Sequence, residues 1–273
     1  MTPLQIAGLG LVAGLHGALY GAWKDSPYES FRPVRFVREI AIAVPVALGL
    51  GLAAGLDHPL VLVLATFALT RMITEVYKLF IRREPQEHYR IPTQVHWWRH
   101  VVSTQPVRWL MGLGWIGAAY GVYGLLKLLP DATSPHLVGV IAGLAFGTTV
   151  AIAGGYKDGL IEGFSLRKFL KSPLMAAIGG FMVSLHTESL VWIVLGAIAL
   201  ERMFNELFFK LLRPGYMPGK FSEEVPAFPF WLAERRYFLA PYAMTWLLLV
   251  YLGLLWPQEH IVEMVAWLGG DGL

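Results

Sequence analysis

Pro59-Leu60-Val61-Leu62-Val63-Leu64-Ala65-Thr66-Phe67-Ala68-Leu69-Thr70-Arg71-Met72-Ile73-Thr74-Glu75 runs without a charge as far as Thr70 and then sets an arginine and a glutamate four residues apart. Its apolar character lasts to Ile81. As a helix rising 1.5 Å per residue, a stretch of this length crosses a hydrocarbon core about 30 Å thick. It is continuous rather than alternating with period two, which argues against a strand of a membrane barrel. The stretch therefore reads as a transmembrane helix that carries two ionisable residues in its second half.

Seven more stretches of this kind lie outward from it: near Leu4–Trp23 and Phe36–Leu56 before it, and near Trp109–Leu129, Leu137–Tyr156, Pro173–Leu185, Leu190–Leu212 and Leu239–Trp256 after it. The one at Pro173–Leu185 is short and spans only if Lys168 and Lys171 snorkel to the surface. The first lacks the basic leader and cleavage site of a signal peptide and is expected to stay in the mature protein. With 273 residues, 56% of them hydrophobic and 15% charged, and a mean hydropathy of +0.54, the chain is too apolar for a soluble domain. The expected fold is an all-α polytopic membrane protein with about eight transmembrane helices. Cysteine is absent, so disulfides and thiolate metal sites are excluded.

The helices are expected to form two tandem repeats. Lys24-Asp25-Ser26-Pro27-Tyr28-Glu29-Ser30-Phe31 returns 133 residues later as Lys157-Asp158-Gly159-Leu160-Ile161-Glu162-Gly163-Phe164, and the basic pair Arg35 and Arg38 returns as Lys168 and Lys171. Gly10, Gly14 and Gly21 match Gly143, Gly147 and Gly154 at the same offset. The four-residue glycine spacing is that of close helix packing, the commoner reading for such residues. Arg71 and Glu75 return as Arg202 and Glu206. The boundaries follow: residues 1–132 and 133–273, each a four-helix membrane repeat.

An offset that moves the first span onto the fifth makes the two repeats parallel, related by an axis along the membrane normal. The connections after spans one, three, five and seven hold 18 of the 22 Lys and Arg residues. The positive-inside rule makes that side cytoplasmic and puts both termini on the non-cytoplasmic side. The connections after the third and seventh spans carry Trp97-Trp98-Arg99-His100 and Phe228-Pro229-Phe230-Trp231. These read first as interfacial anchors and second as a gate over a substrate path.

Ten residues are candidates for binding or coupling: Lys24, Asp25, Glu29, Arg71 and Glu75, with their counterparts Lys157, Asp158, Glu162, Arg202 and Glu206. Ionisable residues at membrane depth are costly and face a partner or a water-filled cavity. Either each Arg pairs with the Glu four residues on, or the arginines bind an anion and the glutamates carry an ion or a proton. Glu201, where the first repeat has Thr70, hints at specialisation of the second half. Lys24 and Asp25 are expected at a helix C-terminus, with the aspartate turned toward Arg35, Arg38 or Arg71. Asp25 with Glu29, and Asp158 with Glu162, form carboxylate pairs that would suit Mg²⁺ only with added oxygen ligands. His16 is either a proton carrier or, more commonly for a lone membrane histidine, a packing residue.

No triad, Walker loop, dinucleotide fingerprint or zinc motif is present. Three functions fit. A transporter or permease with an anion- or ion-handling site on the cytoplasmic side of the two-repeat interface ranks first. An intramembrane Mg²⁺-dependent enzyme acting on a phosphorylated lipid or isoprenoid, and a structural subunit of a membrane complex, follow. No resident metal site is expected, and Mg²⁺ enters only under the enzyme reading. The expected partners are membrane lipids, an anionic small molecule or lipid phosphate, and partner subunits or further copies of the chain. Nucleic acid is not among them.

Overall fold

Proline and hydroxyl residues mark where the helices begin. In the computed structural model, which describes residues 1–84, 94–97, 100–130, 132–213 and 225–255, Thr2 and Gln5 form a capping box ahead of α1 (Pro3–Glu29). Pro33 and Pro59 open α2 (Pro33–Leu48) and α3 (Pro59–Val76) at the position where a missing N–H costs nothing. A short antiparallel ladder, β1 (His96–Trp97) with β2 (His100–Val101), precedes α4 (Gln105–Leu126). Then follow α5 (Pro135–Glu162), α6 (Leu166–Ser184), α7 (Leu190–Glu206), the single turn α8 (Trp231–Glu234) and α9 (Leu239–Leu255). Helices α2, α3 and α7 each continue into a π-helical turn, at Gly49–Ala53, Tyr77–Ile81 and Leu207–Leu211.

Six helical segments among the described residues are long and apolar enough to cross a membrane. The chain is an all-α, multi-pass membrane protein. The two other expected spans, α6 and α7, are helical but more polar. Arg167, Lys168 and Lys171 lie in the first turns of α6, and α7 carries Glu201, Arg202 and Glu206. Helix α6 starts at Leu166 rather than at Pro173, because Ser165 caps it and leaves the proline inside.

Helix α3 lies at the centre. Val61, Leu62, Val63, Leu64 and Ala65 are consecutive and all buried, as in a helix surrounded by others. It packs against α1, α2, α7 and α9. Helices α1, α2 and α3 contact one another, as do α5, α6 and α7, while α4 touches α5 and α9 touches α1. Trp109, Leu110, Leu113, Ile116 and Tyr120 of α4 are exposed, the face a membrane helix offers to lipid.

One contact recurs along the chain. Gly10 and Gly14 let α1 meet α2, so that a Cβ on Gly14 would come within 2.7 Å of the Ile40 Cα and 3.0 Å of the Ala43 Cβ. At the 133-residue offset, Gly147 stands against Pro173 and Ala176 in the same way. Gly143 sits so close to α6 that a Cβ would collide with the Ala176 carbonyl. Gly21 and Gly154 face open space.

The expected end of α1 needs correction. It does not stop near Trp23 but runs through Pro27 to Glu29, because Ser26, Pro27 and Tyr28 are buried and packed. It ends at Ser30 with φ 62°, and α5 ends at Gly163 with φ 71°. With ψ 157° Ser30 holds a backbone conformation that glycine takes freely and other residues resist. Lys24 and Asp25 are therefore inside the helix and not at its C-terminus, where the sequence led them to be expected.

Candidate functional site

His16, Tyr20 and Lys24 follow one another at four-residue intervals and share one face of α1. Tyr20 and His16 are buried, and the Lys24 ammonium lies 5.9 Å from the centre of the Tyr20 ring. Helix α9 closes on this face: the His16 and Tyr242 ring centroids are 4.6 Å apart, and His16 Nδ1 lies 2.8 Å from Thr245 Oγ1. Phe67 of α3 and Trp246 of α9 complete an aromatic collar around the imidazole at 5.3 and 5.5 Å.

Arg71 enters the collar from α3. Its guanidinium donates to the Gly17 carbonyl at 3.0 Å and lies 5.5 Å from the Phe67 ring centre. Gly17 leaves the necessary room, since a Cβ there would come within 3.1 Å of the Arg71 terminal nitrogen. The ionic partner of Arg71 is Glu39 of α2, at 3.5 Å, and not Glu75. Glu75 pairs instead with Lys78 at 3.2 Å. The first half thus departs from internal Arg–Glu pairing because a second helix supplies a buried carboxylate.

The second half keeps the four-residue pair. Arg202 Nε donates to Glu206 Oε1 at 2.7 Å. Glu206 is wholly buried, whereas 43% of the Arg202 side chain is accessible. Glu206 lies within electrostatic reach of Arg71 on α3, His16 on α1 and Lys210 on its own helix, and of both Tyr20 and Tyr242. Its Oε2 has no hydrogen-bond partner among the described residues. The extra acid Glu201 is buried beside it and accepts from Asn205 Nδ2 at 2.6 Å and from Ser172 of α6. Ser172 stands 133 residues after Glu39, so the halves place a buried carboxylate on different helices.

The remaining candidates lie nearer the C-terminal ends of α1 and α5. Asp25 pairs with Lys24 at 3.2 Å rather than with Arg35, Arg38 or Arg71, and Glu29 pairs with Arg35. Each member of the carboxylate pair considered for Mg²⁺ therefore has a base beside it. Among the described residues no group of three or more His, Asp or Glu side chains is placed to hold a metal ion. Lys157, Asp158 and Glu162 lie on the last turns of α5, and their side chains fall outside the described residues.

Two further features frame the site. Phe228 N–H donates to the Pro27 carbonyl at 2.9 Å, Trp231 meets Phe31 at 5.8 Å, and Arg235 lies 4.8 Å from the Trp23 ring centre. The segment from Phe228 to Phe238 is thus laid over the end of α1. Of the other aromatic connection, Trp98 and Arg99 lie outside the described residues. At the opposite membrane face His58 and His186 meet edge to face at 5.0 Å, and burial pushes His58 below its ordinary value against the opposing pull of Asp57.

Arg71, Arg202 and Glu206 are brought together as one cluster, while Glu75, Lys24, Asp25 and Glu29 remain at its rim. The reading from sequence missed Glu39, Tyr20, Tyr242 and Thr245. Glu39 stands beside Arg38 near the start of a span, where an acid resembles a headgroup charge, and the other three are unexceptional in an apolar helix. Comparison with protein-family models, with curated proteins and with solved structures finds no match.

Proposed function

We propose that this protein is an integral membrane transporter of a small anion, with Arg71, Arg202 and Glu206 as its central site. The observation that carries the reading is Glu206: a wholly buried carboxylate that interacts with Arg202 on its own helix and with Arg71 on a helix of the other half. Charge at membrane depth needs a reason, and a site formed between two helix sets is where alternating access would expose it first to one side and then to the other. The accessible side of Arg202 gives an anion a place to bind, and Arg71 offers a second cation.

The reading includes two parallel four-helix repeats, residues 1–132 and 133–273, with termini on the non-cytoplasmic side. It is supported by the recurring glycine contact, by helix ends at Ser30 and Gly163, and by the packing of each repeat's first three helices together. Arg38, exposed at the start of α2, and the half-buried Arg35 beside it suit lipid phosphate as the annular partner. The enzyme alternative loses ground because Asp25 and Glu29 each have a basic partner.

The test is flux. Proteoliposomes carrying the purified chain, given gradients of chloride, inorganic phosphate or acetate, are expected to dissipate at least one of them faster than protein-free liposomes. Glu206→Gln and Arg202→Gln should abolish that flux while leaving the protein folded. Wild-type liposomes no leakier than empty ones to all three anions would sink the reading.

A further inference from the structure

The hydrogen bonds around His16 fix its tautomer. Thr245 Oγ1 donates its only proton to the Tyr242 carbonyl, at 2.7 Å. Toward the imidazole it can then only accept, so His16 Nδ1, at 2.8 Å, carries the ring proton. A neutral imidazole has one N–H, which leaves Nε2 as a bare lone pair. That atom is buried and has no hydrogen-bond partner among the described residues. In the second half the counterpart of His16 is Thr149, whose hydroxyl is satisfied locally by the Phe146 carbonyl at 2.7 Å.

Glu206 presents a second empty acceptor. Oε1 is taken by Arg202 and Oε2 is not, and His16 and Glu206 lie within electrostatic reach of one another. Leaving a buried acceptor without a donor forfeits the hydrogen bond that water would have given it, and here two sit in one cluster. A merely structural histidine would be expected to have both nitrogens satisfied. What such a pair lacks is a proton. With fewer than three ligating side chains among the described residues, it does not suit a metal ion.

We propose that His16 and Glu206 are the proton-accepting pair of this transporter, so that the anion held by the arginines moves together with a proton. The proposal rests on the transporter reading and names its coupling ion. A proton leaves hydronium on one side of the membrane, an N–H bond forms at His16 Nε2, and the imidazolium is held by the Glu206 carboxylate. On the other side the bond breaks and water takes the proton. No other reactant is consumed. The charged and titratable groups facing the pair are Tyr20 from α1, Arg71 from α3 with its partner Glu39 from α2, Arg202, Glu201 and Lys210 from the seventh helix and its π turn, and Tyr242 from α9. Taking up the proton adds one positive charge to this cluster of acids and bases. Bound anion would offset that charge, which is the physical basis for coupling.

Protonation is read without transport by nitrogen-15 NMR of histidine-labelled full-length protein in lipid nanodiscs, titrated from about pH 8 to about pH 4. One histidine, identified by its loss in His16→Gln, is expected to begin with Nε2 unprotonated and to gain an N–H as pH falls. Glu206→Gln should move that transition to lower pH, because the counter-charge is gone. Thr245→Val, which keeps the ring and removes the acceptor for Nδ1, should give a mixture of tautomers at high pH. A His16 Nε2 that carries hydrogen throughout the range, or never gains one, overturns the proposal and leaves anion flux to be judged separately. A transition indifferent to Glu206→Gln overturns the pairing. If His16 titrates as expected in a protein that moves no anion, the transporter reading is what fails.

Discussion

Arg71 is the residue whose loss tests the cluster most directly, because three helices depend on it. It satisfies the Gly17 carbonyl of α1, neutralises Glu39 of α2 and reaches Glu206 of α7. Removing one partner of a buried ion pair leaves the other charge uncompensated, whereas removing both is often neutral. Glu39 keeps a second, half-exposed base in Arg38 at 3.6 Å, so the penalty is moderated. Arg71→Met is expected to destabilise the protein by about 2 kcal/mol. Adding Glu39→Met should recover most of that loss. Thermal unfolding in one detergent compares the two variants, and a double mutant no more stable than Arg71→Met would show that Glu39 is not the charge Arg71 satisfies. Arg71, Arg202 and Glu206 were legible in the sequence because an ionisable residue inside an apolar run stands out against the cost of burying it. Glu39 was not, since an acid beside Arg38 near the start of a span resembles an ordinary headgroup charge. Tyr20, Tyr242 and Thr245 are unexceptional in an apolar helix, and although Tyr20 lies one turn from His16, what brings Thr245 to the imidazole is a contact spanning 229 residues of chain, which no local pattern encodes.

At the scale of the helix, two glycines of α5 separate packing from propensity. Gly143 meets the backbone of α6 so closely that any Cβ collides with the Ala176 carbonyl, and a backbone atom cannot swing aside as a flexible side chain does. Gly154, farther along the same helix, has nothing within 4 Å of where its Cβ would be. Gly143→Ala is therefore expected to push α5 from α6 and to cost about 3 kcal/mol, the upper range for an overpacked contact. Gly154→Ala should do the reverse, adding up to about 1 kcal/mol because alanine is the better helix former. Melting temperatures of the two variants should move in opposite directions, and a shared direction would mean that the α5–α6 approach is not as drawn. The small-residue spacing that suggested this packing was readable in advance. The helix ends were not: buried Ser26, Pro27 and Tyr28 sustain α1 past the residues where its apolar run stops, a tertiary effect that overrides the local signal.

For the whole molecule the question is which way the cluster faces. Lys and Arg concentrate in the connections after α1, α3, α5 and the seventh helix, and the turns on the opposite side carry Asp57 and Glu188. Because basic loops resist translocation, the side that bears them is expected to remain in the cytoplasm, which puts the Glu206 end of the site nearer that compartment. The chain has no cysteine, so a single introduced thiol reports its own side without interference. Asp57, in the turn between α2 and α3, and Arg83, just beyond the π turn after α3, are both exposed and are separated by one membrane-spanning helix. In intact cells a membrane-impermeant maleimide should label Asp57→Cys and leave Arg83→Cys unlabelled until the membrane is opened. The opposite pattern would invert the protein and bring protons to His16 from the other compartment. Labelling of both from outside would mean that α3 does not cross the bilayer, and with it would go the proposed parallel arrangement of repeats, in which an even number of spans per repeat would give Arg71 and Arg202 the same depth and the same direction of approach.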